Sequence, residues 1–200
     1  MTSEPPRSPD IWVMLRPATA YRALTLVPQH SSKWEAVSRP LGLLLWLGCI
    51  ISLIATQRLT LRVVLDGMVN LSIVPLAEIV ALAVVWRRAR SVSFSRAVDL
   101  FFMGHGPWII GLLGYATVWA LVSPVDAFAW TAPRHIWPIL LAVLVWSAYI
   151  DFCFFRDGLN RNCGAAWLDL VLERVIAWGL VIIVFGGAVL PSTLAGVIHS

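Results

Sequence analysis

Several ionisable side chains lie inside otherwise apolar stretches of this 200-residue sequence, among them Glu78, His105, Asp151 and Arg174. An ionisable group in a membrane-spanning helix costs a few kcal/mol on insertion scales, so those that occur pair with one another or line a pathway for an ion or substrate. Together these groups could bind a proton, a cation or a lipid headgroup, and a histidine can titrate near neutral pH. We take these four residues as the candidate binding site.

The four residues fall at similar depths if their stretches cross a membrane. Counted from the charged residue that flanks each stretch, and at a rise of 1.5 Å per residue, Glu78 lies roughly 13 Å deep, His105 roughly 9 Å and Asp151 roughly 7–8 Å. Glu173 and Arg174 lie in the first turn or so of the last apolar stretch. We therefore predict one polar cluster in the cytoplasmic half of the bilayer.

Four residues that interrupt regular helix lie at the same level: Pro75, Gly104, Gly106 and Pro107. Proline removes a backbone donor and kinks a helix, which frees carbonyl groups for other partners. Such breaks beside ionisable groups are typical of transport sites. They also occur in membrane helices without transport roles.

Two interpretations of the polar cluster are open at this stage. In the first, the cluster lines a cavity that opens to the cytoplasm and binds a proton, a cation or a lipid headgroup. In the second, the side chains satisfy one another and fix the register of the helices, as buried polar groups usually must. The second interpretation needs no ligand, and the sequence favours it.

The elements that must position these residues are apolar helices. Hydrophobic residues make up 59% of the chain and charged residues 13%, whereas charged residues make up about 25% of a soluble domain. Crossing a bilayer takes about 20 apolar residues. We predict an all-α fold, an integral membrane bundle of five transmembrane helices over residues 40–200, with spans at Pro40–Thr56, Gly67–Trp86, Leu100–Val122, Ile136–Phe155 and Leu170–Leu190.

Basic residues are distributed unevenly between the two sides of this bundle. All but three of the 15 Lys and Arg residues fall in the first 39 residues, in the loop after the second span or around the turn before the fifth. The other side carries Arg58, Arg62 and Arg134. The positive-inside rule places the N-terminus in the cytoplasm and, after five crossings, the C-terminus in the periplasm. Because the charge is sorted by membrane side, we do not predict nucleic acid as a partner.

Residues 1–39 are predicted to form a cytoplasmic N-terminal arm. Within the segment Ala18–Val27, Tyr21 and Leu24 share one face and Arg22 lies opposite. Short amphipathic helices of this kind lie flat in the membrane interface, and arginines near them suit anionic lipid headgroups. We predict a short interfacial amphipathic helix here, in contact with membrane lipids; a solvated tail is the alternative.

The sequence lacks the motifs of several common chemistries. It has no P-loop, no G-x-G-x-x-G, no H-E-x-x-H and no G-x-S-x-G. Its three cysteines, Cys49, Cys153 and Cys163, are too few and too scattered for a disulfide framework or a metal site. We predict no catalytic residue, no metal and no cofactor, and thus a protein that is not an enzyme.

Three stretches carry a further pattern. Trp12–Leu24 (WVMLRPATAYRAL) fits R-P-x-x-x-[FY]-x-x-[IL], Ser91–Trp108 (SVSFSRAVDLFFMGHGPW) is a polar loop leading into a span that starts with small residues and Pro, and Val145–Trp167 ends a span with a G-[LI] turn before a final helix. Together they resemble the bacterial branch of the Ypt-interacting-protein (YIP) family of five-span membrane proteins. The resemblance implies a bacterial inner-membrane protein without family-defined catalytic residues. Eukaryotic relatives associate with small GTPases. The N-terminal arm of this chain is short, which argues against an interaction of that type.

Three hypotheses of function follow. The preferred one is a non-enzymatic scaffold or accessory subunit of a membrane complex, which would contact membrane lipids and other integral membrane proteins. The alternative is a small transporter or an ion- or lipid-binding protein that uses Glu78, His105 and Asp151. The weakest is a subunit of an electron-transfer or pigment complex with a cofactor on His105. Monomer and dimer are both open.

Overall fold

The computed structural model describes residues 9–26, 33–89, 91–122 and 136–198, which form helices joined by short turns, with no strand among them. The predicted all-α class is confirmed. The α-helices are α1 (Pro9–Leu15), α2 (Pro17–Leu26), α3 (Lys33–Thr56), α4 (Leu61–Leu71), α5 (Ile73–Ala89), α6 (Phe94–Met103), α7 (Gly106–Val122), α8 (Ile136–Cys153) and α9 (Cys163–Ile198).

Four helical segments in this part of the chain are long and apolar enough to cross a membrane: Ala36–Thr56, Leu61–Ala89, Phe94–Thr117 and Trp137–Gly158. They correspond to the first four predicted spans, and they identify a multi-pass helical membrane protein. The predicted fifth span lies within α9, which carries Asp169, Glu173 and Arg174 in its first three turns. Side chains of α9 are described only to Phe185, so the fifth crossing stays a prediction.

The second and third spans are each made of two helices. α4 and α5 meet at Ser72, whose Oγ donates to the Val69 carbonyl at 2.7 Å. α6 and α7 meet at the turn Gly104–His105, where the Gly104 N–H donates to the Phe101 carbonyl at 3.0 Å. Ser93 caps α6 by accepting from the Arg96 N–H at 3.3 Å, as N-cap serines do.

The fourth span ends in a wide π-helical turn, Phe154–Gly158. Its backbone bonds run five residues back, from the Leu159 N–H to the Phe154 carbonyl and from the Arg161 N–H to the Arg156 carbonyl, both at 2.9 Å. Asn160 then takes a positive φ of 52°, a left-handed conformation that asparagine tolerates well and that ends helices.

The N-terminal arm packs against the bundle. Val13, Ala20 and Tyr21 are fully buried. The Trp146 indole donates to the Met14 carbonyl at 3.1 Å, and the Tyr21 hydroxyl donates to the Leu100 carbonyl at 3.3 Å. The predicted helix at Ala18–Val27 is present as α2, apart from Val27, which lies outside the described residues; its interfacial position is not confirmed. α3 begins at Lys33, so the predicted boundary between residues 39 and 40 falls inside a helix.

One end of the bundle is basic and tightly packed. We call it the basic end; it carries Arg87, Arg88, Arg156 and Arg161. Arg161 Nε pairs with Asp169 Oδ2 at 2.8 Å, and Arg88 lies 3.5 Å from the other carboxylate oxygen, which ties α5 to the start of α9. Between this end and the candidate site lies an aromatic core, made by the arm, α6 and the π-helical turn: Tyr21, Phe101, Phe154 and Phe155.

Candidate functional site

The structure brings the four candidate residues together. Glu78 on α5 pairs with His105 in the turn between α6 and α7, with Oε2 and Nε2 3.1 Å apart. The other ring nitrogen of His105, Nδ1, lies 3.3 Å from the Phe101 carbonyl. Both residues are buried. Since each imidazole nitrogen already has a partner, a haem or chlorophyll on His105 would have to displace one of them.

Arg174 connects this pair to the remaining helices. Its Nη1 lies 3.6 Å from Glu78 Oε1, and its Nη2 pairs with Asp151 Oδ2 on α8. One guanidinium on α9 therefore bridges carboxylates from α5 and α8. Asp151 is almost completely buried, so the partnership supplies the hydrogen bonds that a buried carboxylate requires.

A fifth ionisable group, Glu173, belongs to the same cluster and was absent from the sequence-based candidate set. It is fully buried, and neither carboxylate oxygen has a hydrogen-bond partner among the described residues. Its nearest cation is Arg174 Nε, at 3.5 Å. Its position next to Arg174 in an apolar stretch is the sequence feature that could have identified it as a member of the cluster. We call Glu78, His105, Asp151, Glu173 and Arg174 the polar cluster.

Two further side chains extend the cluster. The Trp108 indole donates to Ser147 Oγ at 2.9 Å, and the Ser147 hydroxyl lies 3.5 Å from Asp151 Oδ2. Ser147 precedes Asp151 by four residues, so the two share a face of α8. That spacing could have identified Ser147 from the sequence; its link to Trp108 depends on how α7 packs against α8.

The predicted helix breaks position His105 in different ways. Gly104 and Gly106 flank it and permit close packing: a Cβ on Gly104 would lie 2.9 Å from Ile150 Cγ2, and one on Gly106 would lie 2.2 Å from Met14 Sδ. Pro75 and Pro107 lie in the first turns of α5 and α7, where a missing backbone N–H disrupts no helical bond. The turns that interrupt the helices, at Ser72 and at Gly104–His105, come before these prolines.

The polar cluster holds more acidic groups than basic ones. Three carboxyl groups share one guanidinium and one imidazole, so even a doubly protonated His105 leaves an excess of one negative charge when all three carboxylates are ionised. Uncompensated buried charge is costly in a medium of low dielectric constant. Electrical neutrality of this site therefore requires bound protons or a bound cation.

A cavity of about 340 Å³ adjoins the cluster. Glu78, His105 and Arg174 line one end. Three aromatic side chains, Trp108, Tyr115 and Trp178, also line the cavity. The other lining residues are aliphatic: Leu43, Leu47, Ile50, Ile51, Ile54, Leu71, Val74 and Leu112. From the cluster the cavity extends away from the basic end, towards the end of α3.

An opening of this cavity to the cytoplasm stays a prediction. The buried side chains of Tyr21, Phe101 and Phe154 lie between the cluster and the basic end. Trp178 at the cavity wall is 51% exposed. A second cavity of about 360 Å³ lies between α8 and α9 and shares Trp108, Arg174 and Trp178 with the first.

No group of three or more His, Cys, Asp or Glu side chains among the described residues is arranged to hold a metal ion. In comparisons with known proteins, no family model, no curated protein and no solved structure matches this chain.

Proposed function

We propose that this multi-pass membrane protein is a small transporter or an ion- and lipid-binding protein whose polar cluster binds a proton or a cation inside the bilayer. The observation that carries the proposal is the charge imbalance: Glu78, Asp151 and Glu173 are buried around the single guanidinium of Arg174. Ionisable groups held within the hydrocarbon region commonly mark ion and proton pathways.

The surroundings of the cluster support the same function. A cavity adjoins it on one side and a second lies behind Arg174. The turn that carries His105 separates two helices of one span, and half-helices that meet beside ionisable groups are a common way to build transport sites.

Infrared difference spectroscopy between neutral and alkaline pH tests the proposal directly, because it resolves the C=O band of a protonated carboxyl group. We expect the wild-type protein in lipid nanodiscs to show such a band, and Glu173→Gln to remove or shift it. Glu173 makes no hydrogen bond to the described residues, so the amide should be tolerated. Glu78→Gln should change proton uptake or release in the same experiment while the protein stays folded.

Asp66→Asn is the matched control, because Asp66 on α4 has a side chain that is 67% exposed and lies outside the cluster. The control should leave any band from a buried carboxyl group unchanged. If wild type, Glu173→Gln and Glu78→Gln gave the same difference spectrum, the cluster would exchange no proton and the proposal would fail.

The second candidate function is the non-enzymatic scaffold or accessory subunit. It is favoured by the mutual pairing of Glu78, His105, Asp151 and Arg174, which needs no ligand and could fix the register of four helices. In that case Glu78→Gln would leave proton exchange unchanged and lower only the thermal stability.

Membership in the bacterial branch of the YIP family, and a place in the bacterial inner membrane, are parts of this proposal. Their support is the three sequence stretches described above and the apolar spans. Neither function requires a catalytic residue or a cofactor, and membrane lipids and other integral membrane proteins are the partners we propose.

A further inference from the structure

The residues that line the cavity beside the polar cluster extend along α3 and α7. On α3 the lining residues run from Leu43 to Ile54, a separation of eleven positions that corresponds to about 16 Å of helix. Ionisable cluster groups lie at one end, and the walls beyond them are apolar. This combination fits an amphiphile with a single apolar chain and one polar head, which would enter from the bilayer beside Trp178.

The charges at the polar end of the cavity determine which head group of an amphiphile it can bind. Arg174 is the only arginine in the cavity lining, and its guanidinium lies within 3.6 Å of Glu78, within 3.5 Å of Glu173 and in contact with Asp151. An anionic head would lie beside Glu78 at the cavity wall and would have to compete with all three carboxylates for one cation. A cationic head would neutralise the excess negative charge instead, so the electrostatic complement of this end is a cation.

Aromatic side chains also line the cavity. Trp108 follows His105 by three residues, and Trp178 follows Arg174 by four, so each is one helical turn from the cluster and lines the cavity. Tyr115 lies two turns further along α7. Tryptophan faces attract ammonium groups, and quaternary ammonium ligands are recognised by aromatic side chains in this way.

We propose that this cavity binds a membrane-soluble organic cation, with one apolar chain along α3 and an amine or quaternary ammonium head held by Glu78 between Trp108 and Trp178. The inference rests on the proposed function and names its ligand class. Proton and organic cation would then neutralise the same excess negative charge and would compete for the site.

Competition with the proton sets the direction of the pH dependence. The titratable groups that line the cavity are Glu78 from α5, His105 from the turn before α7, Tyr115 from α7 and Arg174 from α9. Asp151 from α8 and Glu173 from α9 lie outside the lining, against Arg174. The residues by which α3 lines the cavity are all aliphatic. Because protonation of the cluster removes the negative charge that attracts the cation, affinity for the cation rises with pH.

Binding of octyltrimethylammonium to the protein in lipid nanodiscs tests the inference, with octyl sulfate as a probe of the same chain and the opposite charge. Protein-free nanodiscs give the background of partition into lipid. We expect saturable binding of the cation that tightens with pH and no saturable binding of the anion. Glu78→Gln should weaken binding of the cation at least about tenfold, which corresponds to about 1.4 kcal/mol.

Leu112→Trp provides a second variant that leaves the cluster intact, because Leu112 lines the cavity and a larger ring would fill it. Leu113→Trp is its matched control, since Leu113 is the next residue on α7 and is 39% exposed outside the cavity lining. The first variant should reduce binding of the cation at least about tenfold and the second should not.

Several results would overturn the inference. Equal binding of the two probes would exclude selection by charge, tighter binding of octyl sulfate would identify an anion site, and full binding to Leu112→Trp would exclude the cavity. If the infrared band responds to Glu173→Gln while the cation does not bind, the inference fails and the proposed proton site stands. If the cation binds but no proton exchange occurs, the proton site fails instead.

Discussion

At the scale of single residues, Arg174 connects the polar cluster because it pairs with several carboxylates at once. Its guanidinium joins Glu78 of α5 and Asp151 of α8 to α9, and an arginine suits this place because its five N–H donors have a fixed planar geometry. Breaking a buried ion pair by removal of one partner costs about 3–5 kcal/mol, since the other charge stays buried. The polar cluster is therefore a joint between helices as well as a candidate binding site.

Tyr21, in the arm outside the spans, gives a prediction with a pH dependence. Burial, and secondly the nearby Asp151 carboxylate, raise the pKa of the Tyr21 phenol well above its ordinary value, which is about 10. The folded protein thus keeps a proton that the unfolded chain releases, so this contribution to stability is complete below about pH 10 and is lost as the pH rises further.

We expect Tyr21→Phe to lower the free energy of unfolding by about 1 kcal/mol near neutral pH, through loss of the hydrogen bond to the Leu100 carbonyl. Above about pH 10 the wild-type protein should lose this advantage, while the phenylalanine variant has no phenol to ionise. Thermal unfolding of both proteins in mild detergent at neutral and alkaline pH measures the difference. A gap that stayed constant over this range would contradict the prediction.

The candidate residues could be predicted from sequence because ionisable groups are rare in apolar stretches, so Glu78, His105 and Asp151 are conspicuous. Their partners could not. Glu78 and His105 are separated by 27 positions, and the Tyr21 hydroxyl reaches a carbonyl 79 positions away. No local pattern encodes such pairs. The excess of negative charge emerged only when Glu173 was placed against Arg174.

At the scale of helices, α3 and α4 form an antiparallel pair with a tightly bonded turn. The buried Ser52 side chain donates to the Arg58 carbonyl and accepts from the Thr60 N–H, both at 2.9 Å. Gly48 lies where the two helices approach most closely, because a Cβ at that position would meet the Val64 carbonyl oxygen at 2.5 Å. A backbone atom cannot move aside as the end of a flexible side chain can.

We therefore expect Gly48→Ala to separate α3 from α4 and to lower the free energy of unfolding by about 1–3 kcal/mol, the usual range for overpacking. Gly42→Ala is the control on the same helix, because nothing lies within 4 Å of its added methyl group. Alanine is the better helix former by about 1 kcal/mol, so the control should be neutral or slightly stabilising. Thermal unfolding in detergent distinguishes the two; equal effects would argue against the close approach.

The sequence predicted the apolar segments well but their interruptions less well. Hydropathy stays high across Ser72, so the junction of α4 and α5 is invisible to it, and the proline that suggested a kink lies three residues later. The arm shows the same limitation. Tyr21 and Leu24 form an apolar face that lipid or protein could cover equally well, and only the packed structure identifies Phe154 as the neighbour of Tyr21.

At the scale of the whole molecule, the sidedness of the bundle is the prediction that matters most. The basic end carries an exposed cysteine, Cys163, whereas Cys153 is buried and Cys49 is half-buried inside α3. Cys163 is thus a natural reporter for this end. The positive-inside rule places it in the cytoplasm.

We expect a membrane-impermeant maleimide to label the protein in inverted membrane vesicles and not in intact spheroplasts, because the reagent reaches Cys163 from the cytoplasmic face alone. Cys163→Ser should abolish the labelling, which identifies the reactive site. Labelling of intact spheroplasts would reverse the orientation. A C-terminal tag completes the test, since five crossings require it to be accessible from the opposite face.

The bridge between α5 and α9 has a consequence for biosynthesis. The ribosome makes the chain from its N-terminus, so Glu78 enters the bilayer before His105, and both enter before Arg174. During that interval the carboxylate lies in a membrane helix without its guanidinium, at a cost of a few kcal/mol. The earlier helices thus form a provisional assembly that the last helix completes, and a nascent chain released before α9 would expose an acidic seam to the proteases that remove unfinished membrane proteins.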